Sequence, residues 1–155
     1  MPTGFDFKKL RRLVTIHIVI QIALVGLLIY MAMLFQGALH AEGRGFRFIH
    51  SIIASLVIQM ILFYPINKFA IREAKLAADG AAIGLTPDEM KSQRNKRLVG
   101  DVLKSGVFCF FLIFAWRAPS DRFFLCIISF TFLLTYLSYF QCFNFAAKRE
   151  MKERA

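Results

Sequence analysis

The sequence predicts an all-α, polytopic membrane protein: four transmembrane helices in two hairpins, with a protruding cytosolic helical hairpin between them. Three observations lead there. The chain is 57% hydrophobic and holds 18 phenylalanines in 155 residues, with a mean hydropathy of +0.55. A soluble domain of this size still needs a polar surface and is less apolar than this. The apolar residues gather into four runs, each near the roughly 20 residues that a bilayer core requires. The charges lie at the ends of those runs and in one long polar stretch, residues 67–98. The whole chain, 1–155, therefore reads as a single integral membrane domain.

In chain order, residues 1–12 form a short basic lead. Residues 13–34 are the first span. As a secretory signal the apolar core is too long, and Leu39-His40-Ala41 makes a poor cleavage site, so the span is expected to stay. Residues 35–45 connect it to the second span, 46–66, where Pro65 falls as the helix leaves the lipid and other groups can satisfy the freed carbonyl. The polar stretch 67–98 reads as two helix extensions around a turn bracketed by Gly80 and Gly84. Ahead of the turn, Ala70, Ala74, Ala77 and Ala78 share one face at helical spacing, with Lys68, Arg72 and Lys75 on the others. After it, Thr86-Pro87-Asp88-Glu89 is a capping box with proline at the first helical position and acids at the positive end of the helix dipole. No strong breaker follows before Trp116, so this helix runs on into the third span, 99–116. Each extension would project roughly 15–20 Å past the lipid at 1.5 Å per residue. Residues 117–122 turn the chain into the fourth span, 123–143, and the tail is basic again.

The amino-terminal lead, the polar hairpin and the tail carry fifteen of the 20 Lys and Arg. The positive-inside rule then places both termini and the hairpin in the cytosol, in a multi-pass protein of the bacterial inner membrane. Trp116 beside Arg117 suits an interfacial anchor on the opposite side. The net charge of +10 could suggest nucleic acid. Basic residues clustered at the ends of apolar runs fit anionic lipid headgroups better, and no nucleic-acid partner is expected. The two halves also look alike. Arg11-Arg12-Leu13-Val14 matches Lys96-Arg97-Leu98-Val99, Arg47-Phe48 with Ile52-Ile53 matches Arg122-Phe123 with Ile127-Ile128, and Asn67 with Arg72-Glu73-Ala74-Lys75 matches Asn144 with Arg149-Glu150-Met151-Lys152. That is the pattern of a parallel repeat of a two-helix unit.

Polar residues inside the spans form a candidate layer in the cytosolic third: His17, Gln21, Gln59, Asp101 and Lys104. His17 and Gln21 lie one turn apart. Gln59 extends a stripe from Ser51 and Ser55, and Asp101 and Lys104 make an i, i+3 pair followed by Ser105. Ser138 and Gln141 add to it from the fourth span. Such a layer can mark a proton, ion or solute path. It can equally be interhelical hydrogen bonding with a Lys104 that snorkels to the headgroups, which is the reading favoured here. Arg94, Lys96, Arg97, Lys148 and Arg149 are candidate contacts to anionic lipid or to a partner.

No catalytic residue, cofactor or metal is expected, and the chain does not read as an enzyme. A membrane b-type haem needs two His at matching depth, whereas His17, His40 and His50 lie at different levels. A metal on His40, Glu42, His50 and Asp121 would have unspecific spacing. Cys109, Cys126 and Cys142 form no CxxC pair, which removes a disulfide framework and membrane disulfide exchange. The paired outer aspartates of lipoprotein signal peptidases and the mid-span glutamate of small multidrug exporters are missing too.

The exit of the second span, Pro65-Ile66-Asn67 followed by Arg72, and a lysine in the third span, Lys104, resemble the pattern of the small accessory protein encoded with bacterial ATP synthases. The resemblance runs loosely over spans two to four, and the long hairpin departs from it. It implies a four-span accessory protein with basic cytosolic ends. With no site chemistry evident, and with the Phe-rich third and fourth spans and the cytosolic hairpin offering large surfaces to partner helices and to a cytosolic protein, the expected function is an accessory, scaffold or assembly subunit of a larger membrane complex, with other membrane-protein subunits as partners. The alternative is a small oligomeric transporter or channel using the polar layer.

Overall fold

The structure, a computed structural model, describes residues 4–118 and 121–154. The turn expected at 117–122 thus falls partly outside the described residues, at Pro119 and Ser120. Four helices follow one another: α1 (Lys8–Ala41), α2 (Gly45–Asp79), α3 (Pro87–Arg117) and α4 (Arg122–Glu153). Each is long and apolar enough to cross a membrane by length and composition. All exceed their predicted spans. At 31–35 residues they run roughly 45–50 Å, against about 30 Å of hydrocarbon. Among the described residues the only β pairing is a single bridge between Phe5 and Ala82.

The helix ends follow from their residues. α1 closes through Gly43 at φ +71°, with Arg44 N–H donating to the Leu39 carbonyl (2.8 Å) and Gly43 N–H to the His40 carbonyl (2.9 Å). This is the two-bond C-terminal motif that favours glycine. α2 passes through Pro65 without a break. α3 starts at the predicted capping box, with both reciprocal bonds between Thr86 and Glu89 in place. Asp121 caps α4 through the Phe123 N–H.

α4 is the axis of the bundle. It carries eleven buried residues, and among the described residues of α3 only Gly100 is buried. α2 and α4 run in the same direction and form the main interface. Residues that bond across it are 72 to 79 positions apart, as in the Ser55 hydroxyl with the Ile127 carbonyl and Gln59 with Ser138. The Asn-to-Lys motifs at 67–75 and 144–152 are offset by 77, so the two copies lie at the same level. Close approach is possible because small residues face each other: Ser51, Ser55, Ala70, Ala74 and Ala78 on α2, Cys126, Ala146 and Ala147 on α4, all buried. The alanine face of the α2 extension therefore packs on α4 rather than across the turn on α3.

The first described residues bond the 80–86 turn, and Arg154 reaches Asp79 just ahead of it. Ile83 N–H donates to the Gly4 carbonyl (2.9 Å) and Asp6 N–H to the Ala81 carbonyl (2.8 Å). Phe7, Leu10 and Val14 close a core with Ala70, Ala74, Ala78, Tyr139 and Phe143. Arg154 bonds Asp79 (2.6 Å) and Glu150 (2.9 Å) and lies 5.6 Å from the Phe5 ring centre. Burial alone would lower its pKa, but the bonds to Asp79 and Glu150 outweigh that and raise it. At the opposite end Glu42 pairs with Arg122 (3.0 Å) and Arg47 with Asp121 (3.6 Å).

Candidate functional site

The residues of the predicted layer divide into three groups, each shared by different helices. The first joins α2 to α4. Gln59 Nε2 donates to the Ser138 hydroxyl (2.8 Å) and the Leu134 carbonyl (3.3 Å), and Gln59 Oε1 accepts from Thr135 (3.2 Å). Further along, the Ser55 hydroxyl reaches the Ser51 and Ile127 carbonyls. Ser51 donates to the Phe48 carbonyl (2.7 Å), which leaves the Cys126 thiol to donate to Ser51 Oγ at 3.0 Å. All these groups are spent on each other.

The second group joins α1 to α4. Asn144 Nδ2 donates to Gln21 Oε1 (2.9 Å). One turn away, His17 stands between the rings of Phe140 and Phe143, each 4.8 Å off between centres. His17 Nδ1 and Asn144 Oδ1 are buried with no hydrogen-bond partner.

The third group ties α3 to the rest. Lys104 Nζ bonds Asp101 (2.7 Å) and Glu73 (3.2 Å) and lies 5.8 Å from the Tyr139 ring centre. The Tyr136 hydroxyl donates to the Lys104 carbonyl (3.2 Å). Glu73 was not among the predicted site residues. It is buried on the alanine face of α2, and its carboxylate fills a notch at Gly100, where a Cβ would collide with it. The signal was present in the sequence: Ala70-x-x-Glu73-Ala74 puts the acid on the small-residue stripe.

The surface cations behave differently from one another. Arg94, Lys96 and Lys148 are exposed. Arg97 lays its guanidinium over Gly80 and donates to the Leu76 (3.2 Å) and Ala77 (3.4 Å) carbonyls, closing the end of α2. Arg149 pairs with Glu153 (2.7 Å), a bond that raises the arginine's pKa and lowers the glutamate's. Around the other end, the His40, His50, Glu42 and Asp121 set does not assemble. The two acids are held by arginines, and His50 Nδ1 lies 2.7 Å from the Phe46 carbonyl. Among the described residues no three His, Cys, Asp or Glu come close enough to hold a metal. The thiols of Cys109, Cys126 and Cys142 are all free.

The fold thus defines a class: an all-helical bundle whose four helices have the length and composition of membrane spans. Comparison of the chain with protein-family models, curated proteins and solved structures finds no match.

Proposed function

We propose that the chain is a multi-pass protein of the bacterial inner membrane, with both termini and the 80–86 turn in the cytosol. In this reading it is a non-enzymatic accessory, scaffold or assembly subunit of a larger membrane complex. The observation that carries the proposal is how the polar and apolar surfaces are allocated. Gln59, Ser55 and Ser51 on α2, and Lys104 on α3, are engaged by neighbouring helices, the usual use of polar groups in lipid. Outward, α1 and α3 expose rows of large apolar side chains, from Val19 and Ile22 to Phe110, Phe114 and Trp116. Apolar surface on this scale belongs against lipid or partner helices. Fifteen of the 20 basic residues gather at the end where the chain termini and the turn meet, which supports a cytosolic location for that end.

Extraction in a gentle detergent followed by affinity capture tests this reading. The chain is expected to bring stoichiometric membrane subunits with it, and deletion of the 80–86 turn should release them. Recovery of the intact chain alone and monodisperse would count against a scaffold.

The unpaired His17 Nδ1 and Asn144 Oδ1 beside Gln21 favour a second reading, a small oligomeric transporter or channel. Buried polar atoms without partners suit a path that carries water or a solute. That reading expects Gln59→Leu with Lys104→Leu to abolish flux in proteoliposomes while the bundle stays folded. Unchanged flux would remove it.

A further inference from the structure

The α2–α4 pair is open on one side, along a groove of about 540 Å³. Asn67, Ile71 and Lys75 line it from α2, and Phe145, Arg149 and Glu153 from α4. Each of these α4 residues stands 78 positions after its α2 counterpart, close to the separation of Gln59 and Ser138, which bond across the same interface. Asn67 is therefore level with Phe145, Ile71 with Arg149, and Lys75 with Glu153. The charges of the groove cancel. Glu150, which also lines it, bonds Arg154, and Glu153 bonds Arg149. Arg149 chiefly, and Lys75 in smaller part, hold the Glu153 carboxylate below its ordinary pKa. Lys75 thus faces Glu153 across the groove, yet it is exposed and has no ion-pair partner among the described residues. Phe145 is 76% exposed although it lies past the fourth span, 123–143. Lys75 stands roughly 13 Å past the end of the second span, so lipid chains do not cover the groove along its length.

We infer that this groove is the contact between two copies of the chain, paired about a two-fold axis along the membrane normal. The inference rests on the membrane placement proposed above, because two copies inserted the same way round can meet as equals only about such an axis. The axis keeps every residue at its own depth and sets α2 of one copy against α4 of the other. Lys75 of each copy then meets Glu153 of the other, and the four side chains alternate in sign around the axis. One turn nearer the lipid, Ile71 takes the aliphatic stem of Arg149 from the second copy. Below that, Phe145 enters between Asn67 and Ile71 of the second copy, a knob in a hole. A groove without net charge selects neither an anion nor a cation. A second copy brings to each level what that level lacks: an acid for Lys75 and a cover for Phe145.

The test uses full chains carrying a donor or an acceptor dye at the amino terminus, mixed in phosphatidylcholine vesicles, with energy transfer as the measure of pairing. The unaltered chain should pair. Lys75→Glu sets an acid against Glu153 of the second copy, and Glu153→Lys sets a base against its Lys75. Each variant alone should pair about tenfold more weakly, since two exposed ion pairs become two repulsions. Mixed together, the two variants should pair at close to the original level, because every acid of the Lys75→Glu chain then faces a base of the Glu153→Lys chain. Rescue between chains cannot come from a change inside one of them. Phe145→Ser should weaken pairing with unchanged helical circular dichroism, and it keeps the inference testable if a charge variant fails to fold. A mixture no better paired than its parts, or a dimer indifferent to all three substitutions, would overturn the inference. So would a monomer that retains a lipid lost on Phe145→Ser, which would give the groove to lipid. A chain that is soluble without detergent would refute the membrane placement, whereas a membrane-embedded monomer would refute the groove contact alone.

Discussion

Gly100→Ala is a small change with an opposed pair of consequences. Alanine is favoured over glycine inside a helix by about 1 kcal/mol. Against that, the new methyl would overlap Glu73 Oε1 and lie only 2.6 and 2.8 Å from its Cδ and Oε2. The carboxylate is the mobile end of its side chain, so it swings out and loses Lys104, now 3.2 Å away. Lys104 keeps Asp101 at 2.7 Å; Glu73, only 10% exposed, has no replacement. A buried polar group left unsatisfied costs about 1–3 kcal/mol, and more when it is charged, so the net effect is a loss of at least about 1 kcal/mol. With Glu73→Ala already present the obstruction is gone, and Gly100→Ala should stabilise by up to about 1 kcal/mol. The coupling between the two positions is then at least about 2 kcal/mol, within the range for touching residues. Reversible unfolding in detergent, followed by helical circular dichroism on the four variants, measures it. If Gly100→Ala had the same effect in both backgrounds, the packing of Glu73 into the α3 notch would be wrong.

Other outcomes follow from the same contacts. Gln59→Leu removes the hydrogen bonds that join α2 to α4 at Thr135 and Ser138. It should cost about 1 kcal/mol in the same unfolding assay, the upper part of the range for interhelical bonds in lipid. Glu89 has its pKa held down by bonds from the Thr86 N–H and hydroxyl. Its support for the start of α3 is therefore complete above the unfolded pKa of about 4.3 and lost as the pH falls through the lower folded value. The protection factor of the Met90 amide against exchange should fall over that acidic window, and Thr86→Ala should abolish that fall. Arg154→Ala removes the bonds to Asp79 and Glu150 and the contact with Phe5, so limited proteolysis within 80–86 should become several-fold faster. Unchanged cleavage would mean that the tail does not restrain the turn.

Much of the fold was readable because helices announce themselves locally. The capping box at Thr86 and Glu89, the Gly80 helix end and the four apolar runs each depend on residues within a few positions, and the structure has them where spacing put them. Partner choice was less readable. The Ala70, Ala74 and Ala78 positions share one face at helical spacing, but nothing local names the helix that this face meets. α4 takes that place because Ala146 and Ala147 let its backbone approach, whereas the facing part of α3 carries long polar chains. The same cause hid the site. Gln21 and Gln59 share a depth, but Gln21 bonds Asn144 and Gln59 bonds Ser138 and Thr135, and depth alone does not say which face a partner presents. Glu73 was overlooked because it was taken as part of a solvated extension, when its place on the alanine face was the stronger signal. Arg97 looked like a free surface cation, since its bonds to the Leu76 and Ala77 carbonyls arise only once the chain has turned back.

The central claim is that four helices lie in lipid, with the 80–86 turn and both chain ends on the cytosolic side. Single-cysteine labelling tests it directly, in a background where Cys109, Cys126 and Cys142 are replaced by alanine. An impermeant maleimide should reach Ile83→Cys only from the cytosolic face of inverted vesicles, and Gly43→Cys only from the outer face of intact cells. Labelling in the reverse sense would contradict the orientation, and recovery of the chain from the soluble fraction would contradict the membrane itself.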